Sequence, residues 1–288
     1  MRTKNKTILL ATLLFVVIAG SAATVVVWKQ SRESAAYRSE IEQWHAKRVA
    51  RLQRAEGWLS LVALDWLKEG SNEFPSIGTI TLRKGMVHVK IGGTLTATLE
   101  GRKFVSGNLR PDTDDVAIGT RTFTIIMRND RFAVRMWDSE SPVRKSFSGI
   151  ERFPLQEKWK VEARWEPFDP PKKVVIATVI PGLVEEDLVP GAAVFSIDGH
   201  EERLEPTLED SETDYFFVFG DETNGKETYG GGRFLYAAPP KDGKIILDFN
   251  KAYNPPCAFT EFATCPLPAP GNRMNLPVEA GERKYIHP

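Results

Sequence analysis

Residues 79–91 read TITLRKGMVHVKI, and residues 122–137 read TFTIIMRNDRFAVRMW. Each stretch holds two short runs rich in β-branched and apolar residues on either side of a turn pair. The pair is Lys84-Gly85 in the first and Asn129-Asp130 in the second. Glycine and asparagine accept the positive φ that tight hairpin turns require. Residues 79–83 are therefore expected to pair with 86–91, and the run before Asn129 with residues 133–137. Repeated pairs of this kind predict an all-β body of antiparallel strands, sandwich- or barrel-like.

Working outward, residues 58–70, WLSLVALDWLKEG, are apolar at nearly every position. Periodicity alone does not separate a buried strand from a buried helix there. Before them, Tyr37, Ile41, Trp44, Arg48, Leu52 and Ala55 recur at spacings of four and three. That spacing predicts an amphipathic helix over 31–57, with Gly57 as its stop. Residues 8–28 are uncharged and mostly apolar behind the basic Arg2, Lys4 and Lys6. They predict a signal anchor within residues 1–30: a transmembrane helix that tethers the chain to the cell membrane in a single pass, with the body outside the cytoplasm. The alternative is a signal peptide cleaved near Gly20-Ser21-Ala22, leaving a secreted or periplasmic body.

Downstream, the strand pattern lapses over 139–154 and restarts at WKVEARWE, residues 159–166. A boundary near 150 therefore divides the body into β subdomains, 58–150 and 151–288, the latter ending in a Pro-rich loop. Further strands are expected over 172–180, 192–199, 201–207 and 214–220. Pro167, Pro170, Pro171 and Pro181 are expected to separate them, since proline cannot donate into a central ladder.

The chain has 38 basic and 38 acidic residues. Beyond residue 30 no Lys/Arg block occurs, which argues against a nucleic-acid partner. Two cysteines exclude a disulfide-dense scaffold. No motif assigns a cofactor or a metal. Gly220 to Lys226, GDETNGK, fits the GxxxxGK half of a phosphate loop, but Glu227 stands where Ser or Thr should follow. A turn between strands is the better reading. His88 reads as a strand residue and His200 as a turn residue. Asp210, Glu212 and Asp214 read as a charged loop.

Unusual chemistry concentrates between Tyr229 and Arg273. Lys244 to Asn250 alternates as a strand that places Asp248 and Asn250 on one face. Pairing with the run after Arg233 would set that guanidinium beside Asp248. Tyr229, Arg233, Asp248, Asn250, Tyr253 and Arg273 thus form a candidate site for a small polar or anionic ligand. An alternative is a hydrolase-type enzyme with Asp248 as base or Cys257 as nucleophile; another is a structural or interaction module of the cell envelope. Cys257 and Cys265 are eight residues apart, which is not a zinc spacing. On a helix their Cα atoms would lie about 12 Å apart, too far for a disulfide. In a loop a disulfide can form. Small buried residues, a disulfide, and a reactive or metal-binding thiol all remain open readings.

Three segments carry a family resemblance: GWLSLVALDWLKEGSNEF from Gly57, ETYGGGRFLYA from Glu227, and LDFNKAYNPPCAFTEFATCPLPAPGNR from Leu247. They resemble the bacterial and archaeal family known as domain of unknown function 1684 (DUF1684), over about residue 40 to the C-terminus. The resemblance implies no activity, cofactor or catalytic set.

Overall fold

Both expected hairpins form in the computed structural model, which describes residues 32–208 and 213–287. Lys84 and Gly85 have φ of 49° and 77°, and Asn129 has φ of 55°. At Lys84-Gly85, positive φ at both turn positions matches the right-handed twist of the strands it joins.

The first half of the body contains ten strands. They are β1 (Leu61–Trp66), β2 (Gly70–Phe74), β3 (Gly78–Arg83), β4 (Met86–Ile91), β5 (Ala97–Leu99), β6 (Arg102–Phe104), β7 (Ser106–Leu109), β8 (Asp115–Ile118), β9 (Arg121–Arg128) and β10 (Arg131–Asp138). The second half adds β11 (Lys160–Ala177), β12 (Val184–Ile197), β13 (His200–Leu204), β14 (Thr207–Leu208), β15 (Tyr215–Phe219), β16 (Arg233–Ala237) and β17 (Lys244–Asp248). Every ladder between these strands is antiparallel.

In the first half, a sheet ordered β1-β10-β9-β8-β5-β6 and a sheet ordered β2-β3-β4-β7 share one core. Period-two alternation aims Phe123 and Ile125 of β9, Val134 of β10, and Ile80 and Val89 of the second sheet into it. In the second half, β13-β12-β11-β17 and β14-β15-β16 enclose another core, which includes Trp159, Phe195, Phe217, Phe219 and Leu247. The residues from Arg48 onward form one compact unit that holds both cores.

Four expectations are corrected. Among the described residues no helix is long and apolar enough to cross a membrane. The described residues thus form an antiparallel β body with an amphipathic helix and no transmembrane helix; the segment 8–28, on which that expectation rests, lies outside them. The helix covers residues 32–52, so Gly57 is not its stop. Gly57 instead precedes a 3₁₀ turn, Trp58–Ser60, with φ of −90°. Pro167, Pro170 and Pro171 do not end a strand: β11 runs through them, and its ladder to β12 absorbs the interruption as a register shift between Pro167 and Lys172. A bulge accommodates residues that cannot donate to the ladder. Finally, β17 pairs with β11 and β16 pairs with β15, so Arg233 and Asp248 do not become ladder neighbours.

Candidate functional site

Arg233 begins β16 and is 0% exposed. Its guanidinium meets Asp221 at 2.8 Å, donates to the carbonyl of Val278 at 2.8 Å, and donates to the carbonyl of Ala280. Asp221 also accepts from the backbone N–H and hydroxyl of Thr223, and from the N–H of Val278. The half phosphate-loop motif is thus a polar turn whose carboxylate binds its own loop and Arg233. Gly232, with φ of 89°, brings the chain close to β15. A Cβ there would lie 2.6 Å from the Phe219 carbonyl oxygen, so another backbone fills the space that the triple glycine opens.

Among the described residues, the other candidates from the Tyr229–Arg273 stretch take up separate places in the fold. Asp248 ends β17, and its carboxylate accepts the N–H of Asn250 at 3.2 Å, capping a 3₁₀ turn, Phe249–Lys251. Lys251 lies 3.8 Å from the same carboxylate. Asn250 therefore does not continue the strand face. Its amide exchanges hydrogen bonds with the backbone of Gln156, at 2.9 and 3.3 Å. Tyr253 stacks on Tyr236 and receives the Arg48 guanidinium over its ring at 4.6 Å. Arg273 is exposed beside Gly220. The neighbouring Asn272 is buried and bonds the backbone of Glu205 and Val218. Of the charged-loop residues, Asp210 and Glu212 lie outside the described residues. Among the described residues no cluster of metal-ligating side chains occurs.

Tyr229, Cys257 and Cys265 do come together. Both cysteines are free thiols, Cys257 half-buried and Cys265 buried. The Cys257 N–H donates to Cys265 Sγ at 3.1 Å. The Cys257 thiol lies in the electrostatic reach of the Cys265 thiol and the Tyr229 hydroxyl. Those groups, Cys265 first, hold Cys257 below the ordinary cysteine value against the opposing effect of burial. Cys265 is raised, by its interaction with Cys257 and then by burial. Tyr229 is raised mainly by burial.

A residue absent from the sequence candidates makes the other notable site. Arg135 lies on β10 beside Phe132, Val134 and Met136, which enter the first core, and its own side chain takes the opposite sheet face. On β9 that face carries Thr124, Ile126 and Arg128. The second half covers it, leaving Arg135 8% exposed. Arg128 forms an ion pair with Asp112 at 3.0 Å. Among the described residues no hydrogen bond or ion pair reaches Arg135: its Nε lacks a partner, and its contact is the Trp58 ring at 5.7 Å. Burial, then repulsion from Arg128, pushes its pKa down to about 10 against the attraction of Asp112. It remains a cation at neutral pH.

Arg135 lines a cavity of about 310 Å³ between the two halves. Trp58, Phe216 and Phe234 form its apolar walls, with the two phenyl rings edge to face at 4.8 Å. Glu185 and Asp187 enter from β12, on the face shared with the buried Val189. Cys265 forms another part of the wall. The signal in the sequence was RFAVRMW: apolar neighbours on both strand faces mark a sheet covered on both sides, with a cation inside it.

A family described as protein of unknown function, DUF1684, matches residues 145–283. The solution NMR structure of an uncharacterized protein of Haloarcula marismortui is 32% identical, over 49% of this chain and 78% of that one, with a TM-score of 0.42. Comparison with curated proteins finds no match. The family match takes in two of the three segments that carried the resemblance, ETYGGGRFLYA and the long run from Leu247, and the chain belongs to the DUF1684 family.

Proposed function

We propose that this protein binds a small anion in the cavity between its two β halves, with Arg135 as the anchoring cation. The observation that carries this reading is a cation 8% exposed, with no hydrogen bond or ion pair among the described residues, lining a chamber of about 310 Å³. A buried charge left unpaired is costly, and a bound anion removes that cost. The volume suits a small molecule. Glu185 and Asp187 favour a ligand that also carries hydrogen-bond donors, such as an amino acid or a hydroxylated phosphate ester. This relocates the ligand site from the Arg233–Asp248 region to Arg135.

The test is thermal denaturation of the full chain against sulfate, phosphate, amino acids and sugar phosphates, with native mass spectrometry of retained ligand. At least one anion should raise the melting midpoint of the wild type in a saturable way and leave Arg135→Met unaffected. Equal shifts in both proteins would move the site elsewhere.

A further inference from the structure

The two cysteines stand between two chambers. Cys265 lines the Arg135 cavity, and Cys257 lines a separate cleft of about 560 Å³. Walls of that second cleft include the apolar Leu59, Leu61, Val62, Val143, Phe259 and Phe262, with Ser141, Thr260 and Glu261 as polar members. His287 also lines it, but its ring packs edge-on against Tyr285 at 4.9 Å and makes no hydrogen bond to the thiol. Cys257 therefore lacks the imidazole base expected of a cysteine hydrolase. Beside it instead lie a second thiol, whose sulfur accepts the Cys257 N–H at 3.1 Å, and the Tyr229 phenol.

We infer that Cys257 is a peroxide-reducing thiol for apolar organic hydroperoxides admitted by the second cleft, and that Cys265 resolves the product. The geometry supplies each part. Cys257 lines the cleft, while Cys265 holds its sulfur 3.1 Å from the Cys257 backbone N–H and is shielded from solvent. A reactive cysteine needs an accessible thiolate, and a redox pair needs an adjacent resolving thiol.

The chemistry balances as two steps. The Cys257 thiolate attacks the terminal oxygen of ROOH; the O–O bond breaks, an S–O bond forms, and RO⁻ takes up the proton that Cys257 released. Cys257 is then a sulfenic acid and the peroxide has become ROH. Next the Cys265 sulfur attacks the Cys257 sulfur; an S–S bond forms, the S–O bond breaks, and hydroxide leaves with the Cys265 proton as water. Two thiols have lost two electrons, and the peroxide has gained them. A soluble dithiol reverses the bridge by exchange. This inference does not depend on the anion reading, since the peroxide enters through a different chamber and reacts at Cys257.

The experiment uses the reduced full chain with one equivalent of cumene hydroperoxide or hydrogen peroxide, quenched over time with a thiol alkylator and mapped by peptide mass spectrometry. The wild type should lose both thiols and about 2 Da, with a Cys257–Cys265 cross-linked peptide. Cumene hydroperoxide should act about ten-fold faster than hydrogen peroxide if the apolar cleft recruits it. Cys265→Ser should stop at a Cys257 sulfenic acid, about 16 Da heavier and trapped by a dimedone probe. Cys257→Ser should slow oxidation of Cys265 at least about ten-fold. The wild-type mapping needs no variant, so a misfolded mutant does not protect the inference. Thiol loss no faster than in the urea-unfolded chain, bridges only between chains, or equal rates with the two peroxides would overturn it.

Discussion

Arg233 and Arg135 are both buried arginines at strand positions, and they live in opposite electrostatic surroundings. Arg233 is sealed and answered by Asp221 and two backbone carbonyls. Arg135 is nearly as deep but faces a cavity, with an aromatic ring as its neighbour and a second arginine pushing against its charge. The first guanidinium completes the fold. The second is carried at a cost, and its pKa of about 10 against an ordinary 12.5 corresponds to about 3 kcal/mol. Burial alone therefore does not identify a structural residue. The decisive feature is whether the protein supplies the counter-charge.

Removing each charge should break or sharpen that contrast. Arg233→Met leaves Asp221 buried without its cation and should cost about 3–5 kcal/mol of stability. Urea denaturation measures it, and Arg233→Met with Asp221→Leu should recover much of the loss. A single variant as stable as the wild type would remove Arg233 from its structural role. Arg135→Met should behave oppositely. Without ligand it should be as stable as the wild type or more so, by up to about 3 kcal/mol, because the desolvated charge is gone. A loss resembling that of Arg233→Met would make Arg135 structural as well.

The contrast also has a pH signature. A base whose folded pKa is lowered is fully charged below that value and loses its proton as pH rises through it. Sulfate affinity at the Arg135 cavity should therefore be flat from pH 6 to 9, then fall about ten-fold per unit above the folded value, which is about 10. Isothermal titration would show this, and a decline centred near pH 7 would implicate another group. The smallest effect is expected from Trp58→Leu. It removes a ring 5.7 Å from the guanidinium and should weaken anion binding by about 0.5–1 kcal/mol. Unchanged affinity would mean that the ring only walls the cavity.

Hairpins were readable in the sequence because two local signals agree there. The 79–91 stretch alternates, and its Lys84-Gly85 pair suits a positive-φ turn. The polar stretch around Asp248 was readable only in part. Its alternation holds through Asp248 and then stops, because the carboxylate caps the following turn. Arg233 was expected beside Asp248, but its partner is Asp221, in a loop whose motif resembles a phosphate cradle. Sequence spacing does not say where a 13-residue connection between β15 and β16 folds back. Arg135 was passed over as an ordinary strand residue. Its burial was deducible from the apolar neighbours on both faces, but its missing counter-ion was not, since that depends on every element packed around it.

The segment from Val278 to Glu282 has a consequence for how the chain reaches this state. It supplies two carbonyls to Arg233, while the Glu282 carboxylate pairs with Arg48 at 3.2 Å and accepts the N–H of Asn254 at 2.8 Å. Arg48 and Glu282 are separated by 234 positions in sequence. During synthesis from the N-terminus, Arg48 and Arg233 both emerge well before these partners. The second core can collapse around them, but its polar seams stay open until residue 282 has left the ribosome. Completion of the fold thus waits for residues 278–282, and this segment works as a clasp that closes after everything it fastens.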